Sequence, residues 1–383
     1  MAEWRIPLSD LDYGIDEEEA VLRVLRSKWL SMGAEVEAFE SEFADSTGSR
    51  YAMAVANGTA ALHLAFLALG LGPGDEVIQP AINFVAAANM TVATGATPVF
   101  ADIVGIDEPT IDPADISRCI TSRTKAVAVM HFGGYMPRMS GISEICRNCG
   151  LGLIEDACHA VGAHYVDPEQ KPPHGRMAGN LGDIGCFSFF SNKNMATGEG
   201  GMVTTDNENL ARQIRLLRSH GMTTLTWDRH HGHADSYDVQ LHGLNYRLDE
   251  IHAALGRAQL RKLSYNNERR KHLVSQYRIR LSELSGWIVP FENYYGSSSH
   301  HLAVVLAPDS DHRSRVVRAL KEARIQTSLH YPYIPDFKAF GSFHAAGLER
   351  SKAYVRRTIT LPLFPGMTES QVEEICSIIH SSY

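Results

Sequence analysis

The sequence predicts an α/β protein: a large unit with a mostly parallel sheet between helices, then a smaller α+β unit at the C-terminal end. Three observations predict it. Short apolar runs alternate with helical patterns from residue 51 to about residue 219, which is how a parallel sheet covered on both faces reads. At 383 residues the chain is long for one domain and comfortable for two. After a long helical pattern that ends near residue 281 the rhythm changes to sparser strand and helix. The division falls between residues 1–248 and residues 249–383, the second part opening on that long helix.

Composition narrows the class. Hydrophobic residues make up 44% and charged residues 21%, values typical of globular domains. A net charge of −8 argues against a nucleic-acid-binding surface. No apolar run approaches the roughly 20 residues that span a bilayer, and Met1-Ala2-Glu3-Trp4-Arg5 lacks the form of a signal peptide. A cytoplasmic enzyme with no membrane partner is expected. Of six cysteines, Cys146 and Cys149 form a C-x-x-C. No second ligand pair accompanies them, and they fall late in a helical pattern, so two reduced thiols are expected.

The elements follow in order. Residues 16–27 read as a helix, with Val21, Leu22, Val24 and Leu25 on one face and an acidic first turn, Asp16-Glu17-Glu18-Glu19. A second helix covers 35–44. The strand at 51–56 breaks at Asn57-Gly58-Thr59 and opens into a helix at 60–69. Amides at such a helix start can hold a phosphate, with the Thr59 hydroxyl as a further donor. Strands follow at 76–80, 97–101, 125–132 and 151–155, with helices at 84–93 and 141–149. A helix covers 206–219 and the long one runs from about 249 to 281. A strand at 302–306 and helices at 312–323 and 368–379 complete the second unit. Ligands of parallel sheets sit beyond the carboxyl ends of the strands, and Thr59, Phe84, His131, Asp156 and His159 all lie just past strand ends.

One stretch carries the chemistry. Residues 182–201 begin as an apolar strand and end in a glycine-rich turn, with Lys193 between. Beside a buried strand an ammonium is disfavoured, so the amine is available as nucleophile or base, the chemistry of a Schiff-base lysine. An isolated lysine there reads as a surface residue; the flanking glycines, which permit close approach to a ligand, set this one apart. Residues 222–243 break the α/β rhythm and hold His230, His231, His233 and His242. No helical i, i+4 pair or carboxylate spacing supports a metal there, so a loop that meets substrate or partner is expected. A nicotinamide-binding Gly-x-Gly-x-x-Gly turn is absent after the first strand.

Taken together these residues resemble the sugar aminotransferases of the DegT/DnrJ/EryC1/StrS family, pyridoxal-phosphate enzymes of fold type I with the aspartate-aminotransferase-like fold. The matching stretches are Asn57-Gly58-Thr59-Ala60-Ala61-Leu62, Glu155-Asp156-Ala157-Cys158-His159-Ala160, Phe187-Ser188-Phe189 with Lys193 and Gly198-Glu199-Gly200-Gly201, and Asn245-Tyr246-Arg247-Leu248. They occur in the family's order over nearly the whole chain. The resemblance implies a seven-stranded sheet and pyridoxal 5′-phosphate as cofactor, with pyridoxamine 5′-phosphate as its intermediate form. It implies that Lys193 links covalently to the cofactor aldehyde and moves the proton, and that Asp156 pairs with the pyridine nitrogen. It places His159 on the phenolic oxygen, Phe84 against the ring, and Gly58, Thr59 and Ser188 on the phosphate. Asn245 would reach the phosphate in a second subunit, making a homodimer with shared sites.

The implied reaction takes an amino group from L-glutamate to a nucleotide-linked keto-deoxysugar. Arg229 is the candidate for the diphosphate, with His330 and Tyr331 at positions of substrate contact. Cys158-His159 and Ser191-Asn192-Lys193 look more like the C4-aminating branch than the C3 branch. Cyclitol- and aminobenzoate-forming members share the lysine and stay open as alternatives, whereas a dehydratase cousin would carry histidine there. Regulators of this fold carry a DNA-binding segment for which there is no spare chain.

Overall fold

The computed structural model describes residues 4–167, 175–224, 227, 232, 236–343 and 347–382. Two helices come first, α1 (Ile15–Ser27) and α2 (Ala34–Thr47). The α/β run follows as β1 (Tyr51–Val55), α3 (Gly58–Ala68), β2 (Glu76–Pro80), α4 (Ala86–Ala93), β3 (Thr97–Ala101), α5 (Pro113–Cys119), β4 (Thr124–Met130), α6 (Met139–Cys149) and β5 (Gly152–Asp156). A small hairpin, β6 (His164–Val166) and β7 (Gly175–Met177), precedes β8 (Ile184–Ser188), β9 (Gly201–Thr205) and α7 (Glu208–Arg218). The long helix is α8 (Glu250–Leu281), followed by β10 (Ala303–Leu306), α9 (Ser310–Glu322), α10 (Glu349–Arg357), β11 (Thr358–Leu361) and α11 (Glu369–Ser381).

Seven strands form one sheet in the order β1-β9-β8-β5-β4-β2-β3. Only β9 runs antiparallel to its neighbours, β1 and β8; the other pairings are parallel. The expected mostly parallel α/β sheet is therefore present. Strand residues alternate between its faces as a period of two requires. On one face Ala52, Ala54, Val127, Val129 and Phe187 pack with Phe39 and Phe43 of α2 and Ile142 of α6. On the other, Met53, Val55, Ala126, Ala128, Ile184 and Cys186 pack with α3, α4 and α7. Both faces are thus dry, which is why these strands read as near-continuous apolar runs.

The sequence reading did not single out α5, β9, α10, β11 or the β6–β7 hairpin. β9 is fully buried, yet it follows directly on the glycine turn and holds two threonines, so its residues read as turn. Helix α4 begins at Ala86 instead of residue 84, which leaves Phe84 in the bend before it. Cys146 is buried in α6 and Cys149 is exposed, both free thiols. Burial pushes the Cys146 thiol up to about 12, which suits a packed thiol and not a redox one.

The second unit has its own core. Leu273, Val274 and Tyr277 of α8 meet Val305 of β10, Leu320 of α9 and Ile375 and Ile379 of α11. Ile6 belongs to this core too, held by a parallel bridge to Ile325. Helix α8 joins the units, packing on α1 and α2 near its start and on α11 further along. Its first residue, Glu250, is buried and accepts from the amides of Gly33 (2.8 Å), Glu35 (2.9 Å) and Val36 (3.0 Å) at the start of α2. A carboxylate satisfies the orphan donors of that helix start, where the dipole also favours negative charge. Glu250→Ala is expected to lower stability by about 2–3 kcal/mol, read as the shift of the denaturant midpoint; an unshifted midpoint would show that the contact carries no weight.

Candidate active site

The carboxyl ends of β1, β2, β4, β5 and β8 open toward one crevice, and the sequence places a polar residue at each. At the end of β1, Asn57 caps α3, its Oδ1 accepting from the Ala60 amide at 2.8 Å. The amides of Gly58 and Thr59 begin the helix and have no intrahelical acceptor. Gly58 packs so tightly that a Cβ there would lie 2.8 Å from the Ser188 Cβ and 3.0 Å from the Cys158 Sγ. The helix start is thereby held against the ends of both β5 and β8. Ser188 is buried, and its Oγ accepts from the Phe190 amide at 3.3 Å.

Glu155 and Asp156 close β5, pointing to opposite sides of the sheet. Glu155 is fully buried and accepts from His131 Nε2 (2.8 Å) and from the amides of Gly179 (2.9 Å), Leu181 (2.6 Å) and Gly182 (2.6 Å). Burial alone would push its carboxyl up; the bonds from His131 and the amides hold it below the ordinary range. Asp156 is buried at the crevice, and its Oδ1 accepts from the Cys158 amide at 3.2 Å. A tight turn follows it, so it caps no helix.

Lys193 sits in the turn after β8, its amide donating to the Phe190 carbonyl at 2.9 Å. Burial lowers the pKa of its amine, while Cys158 and Asp156 pull the other way. The net displacement is downward, toward a free amine. The next residue anchors the turn. Asn194 Nδ2 donates to the Ser299 carbonyl (2.6 Å) and to Asn267 Oδ1 (2.7 Å), and its Oδ1 pairs with His301 Nδ1 (2.9 Å). Lys193 is therefore fixed to both units. No local pattern in the sequence marked Asn194, because all its partners are distant in the chain.

His159 is enclosed between Tyr331 and His301. Its Nε2 lies 2.7 Å from the Tyr331 hydroxyl, and its ring centroid is 4.2 Å from that of His301. Its Nδ1 is buried without a hydrogen-bond partner among the described residues. Burial, with Lys193 and His301 adding to it, drives the imidazole well below its usual pKa, so His159 is neutral. His330 is similar: burial first, then Lys193, brings it down to about 4, and its Nδ1 pairs with Thr360 Oγ1 at 3.0 Å. Phe84 exposes 53% of its surface at the lip, 6.1 Å from Tyr331. Asn245 is exposed, on a bridge to Ser219, and Asp249 caps α8, accepting from the His252 amide. Arg229, His230, His231 and His233 lie outside the described residues. Among the described residues no group of His, Cys, Asp or Glu is placed to hold a metal, and no helix is long and apolar enough to cross a membrane.

The structure thus brings Gly58, Thr59, Asp156, His159, Ser188, Lys193, His330 and Tyr331 to one crevice, with Phe84 at its edge. These residues fit a pyridoxal phosphate. A helix start with free amides suits the phosphate, a buried carboxylate suits a protonated ring nitrogen, and an amine with a depressed pKa suits the aldehyde. The orphaned Nδ1 of a neutral His159 is one more polar atom awaiting a partner.

Fold and site define a pyridoxal-phosphate-dependent aminotransferase. The model of the DegT/DnrJ/EryC1/StrS aminotransferase family matches residues 12–380, and the chain belongs to that family. It is 40% identical over 379 residues to the spore coat polysaccharide biosynthesis protein SpsC of Bacillus subtilis (strain 168), spanning 96% of this chain and 94% of that protein. Among solved structures it is similar to DesV of S. venezuelae, captured with a ketimine intermediate (TM-score 0.89, 32% identity, 99% of this chain and 98% of that one). It is also similar to Spr1654 from Streptococcus pneumoniae in its PMP form (TM-score 0.91, 25% identity, 99% of each chain).

The buried imidazoles set a pH dependence. His300 and His330 both have folded pKa values brought to about 4 by burial, below the roughly 6.5 of an unfolded histidine. Between pH 6.5 and 4 the unfolded chain binds protons that the folded chain refuses, so stability falls as pH drops through that window. Urea midpoints at pH 7, 6 and 5 should decline in that order; a midpoint that rises on acidification would contradict the neutral assignment.

Proposed function

We propose that this enzyme transfers the amino group of L-glutamate to C4 of a nucleotide-linked 4-keto-6-deoxyhexose. The amino sugar made would serve a surface glycan or an antibiotic. The observation that carries the catalytic reading is the half-buried Lys193 beside Asp156 and Cys158, its amine drawn below the ordinary lysine pKa by burial. The sugar reading is supported by the similarity to a spore coat polysaccharide biosynthesis protein. The C4 preference rests on His159 after Asp156 and on Ser191-Asn192 before Lys193.

Pyridoxal phosphate supplies the electron sink when bound. The chain does the rest. Gly58, Thr59 and Ser188 would bind the phosphate. Asp156 would hold a proton on the pyridine nitrogen, and a neutral His159 would meet the phenolic oxygen. Phe84 would pack against the ring. Lys193 would hold the cofactor's aldehyde and, when free, carry the proton to and from the substrate carbon, a role that its lowered pKa suits. Asn245 of the partner subunit completes the phosphate site, so the working unit is a homodimer. Arg229, His330 and Tyr331 are assigned to the nucleotide sugar. The enzyme works in the cytoplasm.

Two measurements test this. The purified enzyme should be yellow when loaded with cofactor, and Lys193→Ala should lose that visible band and all amine transfer. Incubation with ¹⁵N-glutamate and a panel of 3-keto and 4-keto nucleotide sugars, followed by NMR, should place the label on C4. Label on C3, or on a cyclitol or aminobenzoate precursor only, would refute the C4 assignment; a wild-type enzyme that ignores glutamate would refute the donor.

A further inference from the structure

A second cation shares the Lys193 cavity. Arg270, from the middle of α8, is 2% exposed, and with Lys193, Asn194 and Asn266 it lines a cavity whose empty volume is about 220 Å³. Its Nη1 is anchored, donating to the carbonyls of Leu363 (3.0 Å) and His301 (3.4 Å). Its Nε is buried and makes no hydrogen bond among the described residues, and neither does Nη2. Those two nitrogens form one edge of the guanidinium, the pair of parallel donors that grips a planar carboxylate in bidentate fashion. The carbonyl anchors turn the opposite side of the group away and leave that edge free.

No carboxylate among the described residues answers the charge. Asp12 in the same cavity accepts from Asn266 Nδ2 at 3.0 Å and faces Lys262 at 3.4 Å. Asp10 accepts from the Leu11 amide at 2.9 Å. Burial alone acts on Arg270, bringing its pKa down to about 10; it stays a cation at neutral pH. A buried, unpaired guanidinium is costly unless an anion joins it. Asn266 Oδ1 is a second buried orphan beside it.

We infer that the Nε–Nη2 edge of Arg270 receives the α-carboxylate of the amino-acid donor in the cavity it shares with Lys193. The donor's amine must reach the atom that Lys193 itself reaches, and its α-carboxylate is one carbon away. A group that binds this carboxylate must therefore share the lysine's cavity. The inference rests on the proposed use of glutamate. It makes Arg270 a donor-binding residue, with no part in holding the ketone.

The test separates the two half-reactions of the holoenzyme. With L-glutamate alone, loss of the visible band gives an apparent Kd for the donor; with keto sugar alone, its return from the pyridoxamine form gives one for the acceptor. Arg270→Lys and Arg270→Gln should raise the donor Kd at least 30-fold and change the acceptor Kd less than threefold. Calorimetry with 2-methylglutamate, which keeps both carboxylates and has no proton to lose, should show binding to wild type and not to the variants. If the variants do not fold, wild-type crystals soaked with 2-methylglutamate replace them, with a carboxylate expected within hydrogen-bond distance of Arg270 Nε and Nη2. Equal loss in both half-reactions, unchanged binding of 2-methylglutamate, or a carboxylate seated elsewhere would overturn the assignment. So would loss of thymidine diphosphate binding in place of donor binding, which would give the edge to the diphosphate. A wild-type enzyme silent to glutamate but active with another amine would overturn the donor reading itself.

Discussion

The site depends on one buried charge, the carboxylate of Glu155. It has no contact with water, and a lone carboxylate there would cost several kcal/mol. Four hydrogen bonds offset that, one from His131 beyond β4 and three from the segment that leads into β8. Satisfying this one group fixes the relative positions of β4, β5 and β8. Asp156 leaves β5 at the next residue, and Lys193 leaves β8 five residues past its end. Two polar groups of the crevice, Asp156 and Lys193, are therefore placed by a third that faces away from it.

The crevice in turn is a region where protonation is set by dryness. Burial lowers Lys193, His159, His301 and His330 alike, and the Lys193 charge lowers the three imidazoles further. The imidazoles give way by staying neutral. Lys193 is moved less, because Cys158 and Asp156 oppose the burial. A lysine poised in this way can lose a proton during turnover and regain it. Asn194 and His301 tie the lysine's turn to the second unit, so the position of that amine depends on both halves of the chain.

Much of this was legible in the sequence. Strands buried on both faces read as apolar runs, and the polar residues at their carboxyl ends stood out against them. The motifs around Asn57, Asp156 and Lys193 marked the family. What stayed hidden was either local in form or distant in cause. β9 looked like an extension of the glycine turn because threonines in a buried strand carry no apolar signal. Tyr331 carried a substrate role by position, yet its hydroxyl lies against His159, a contact spanning 172 residues. Arg270 was one of many cations on a long helix; its isolation from carboxylates is a property of the packed core and of nothing nearby in the chain.

The proposed function requires that Lys193, and no other lysine, carries the cofactor. Borohydride reduction of the yellow holoenzyme followed by peptide mass spectrometry tests it most directly. A single phosphopyridoxyl adduct is expected, on the peptide that contains Lys193. An adduct on a different lysine, with the Lys193 peptide unmodified, would contradict it.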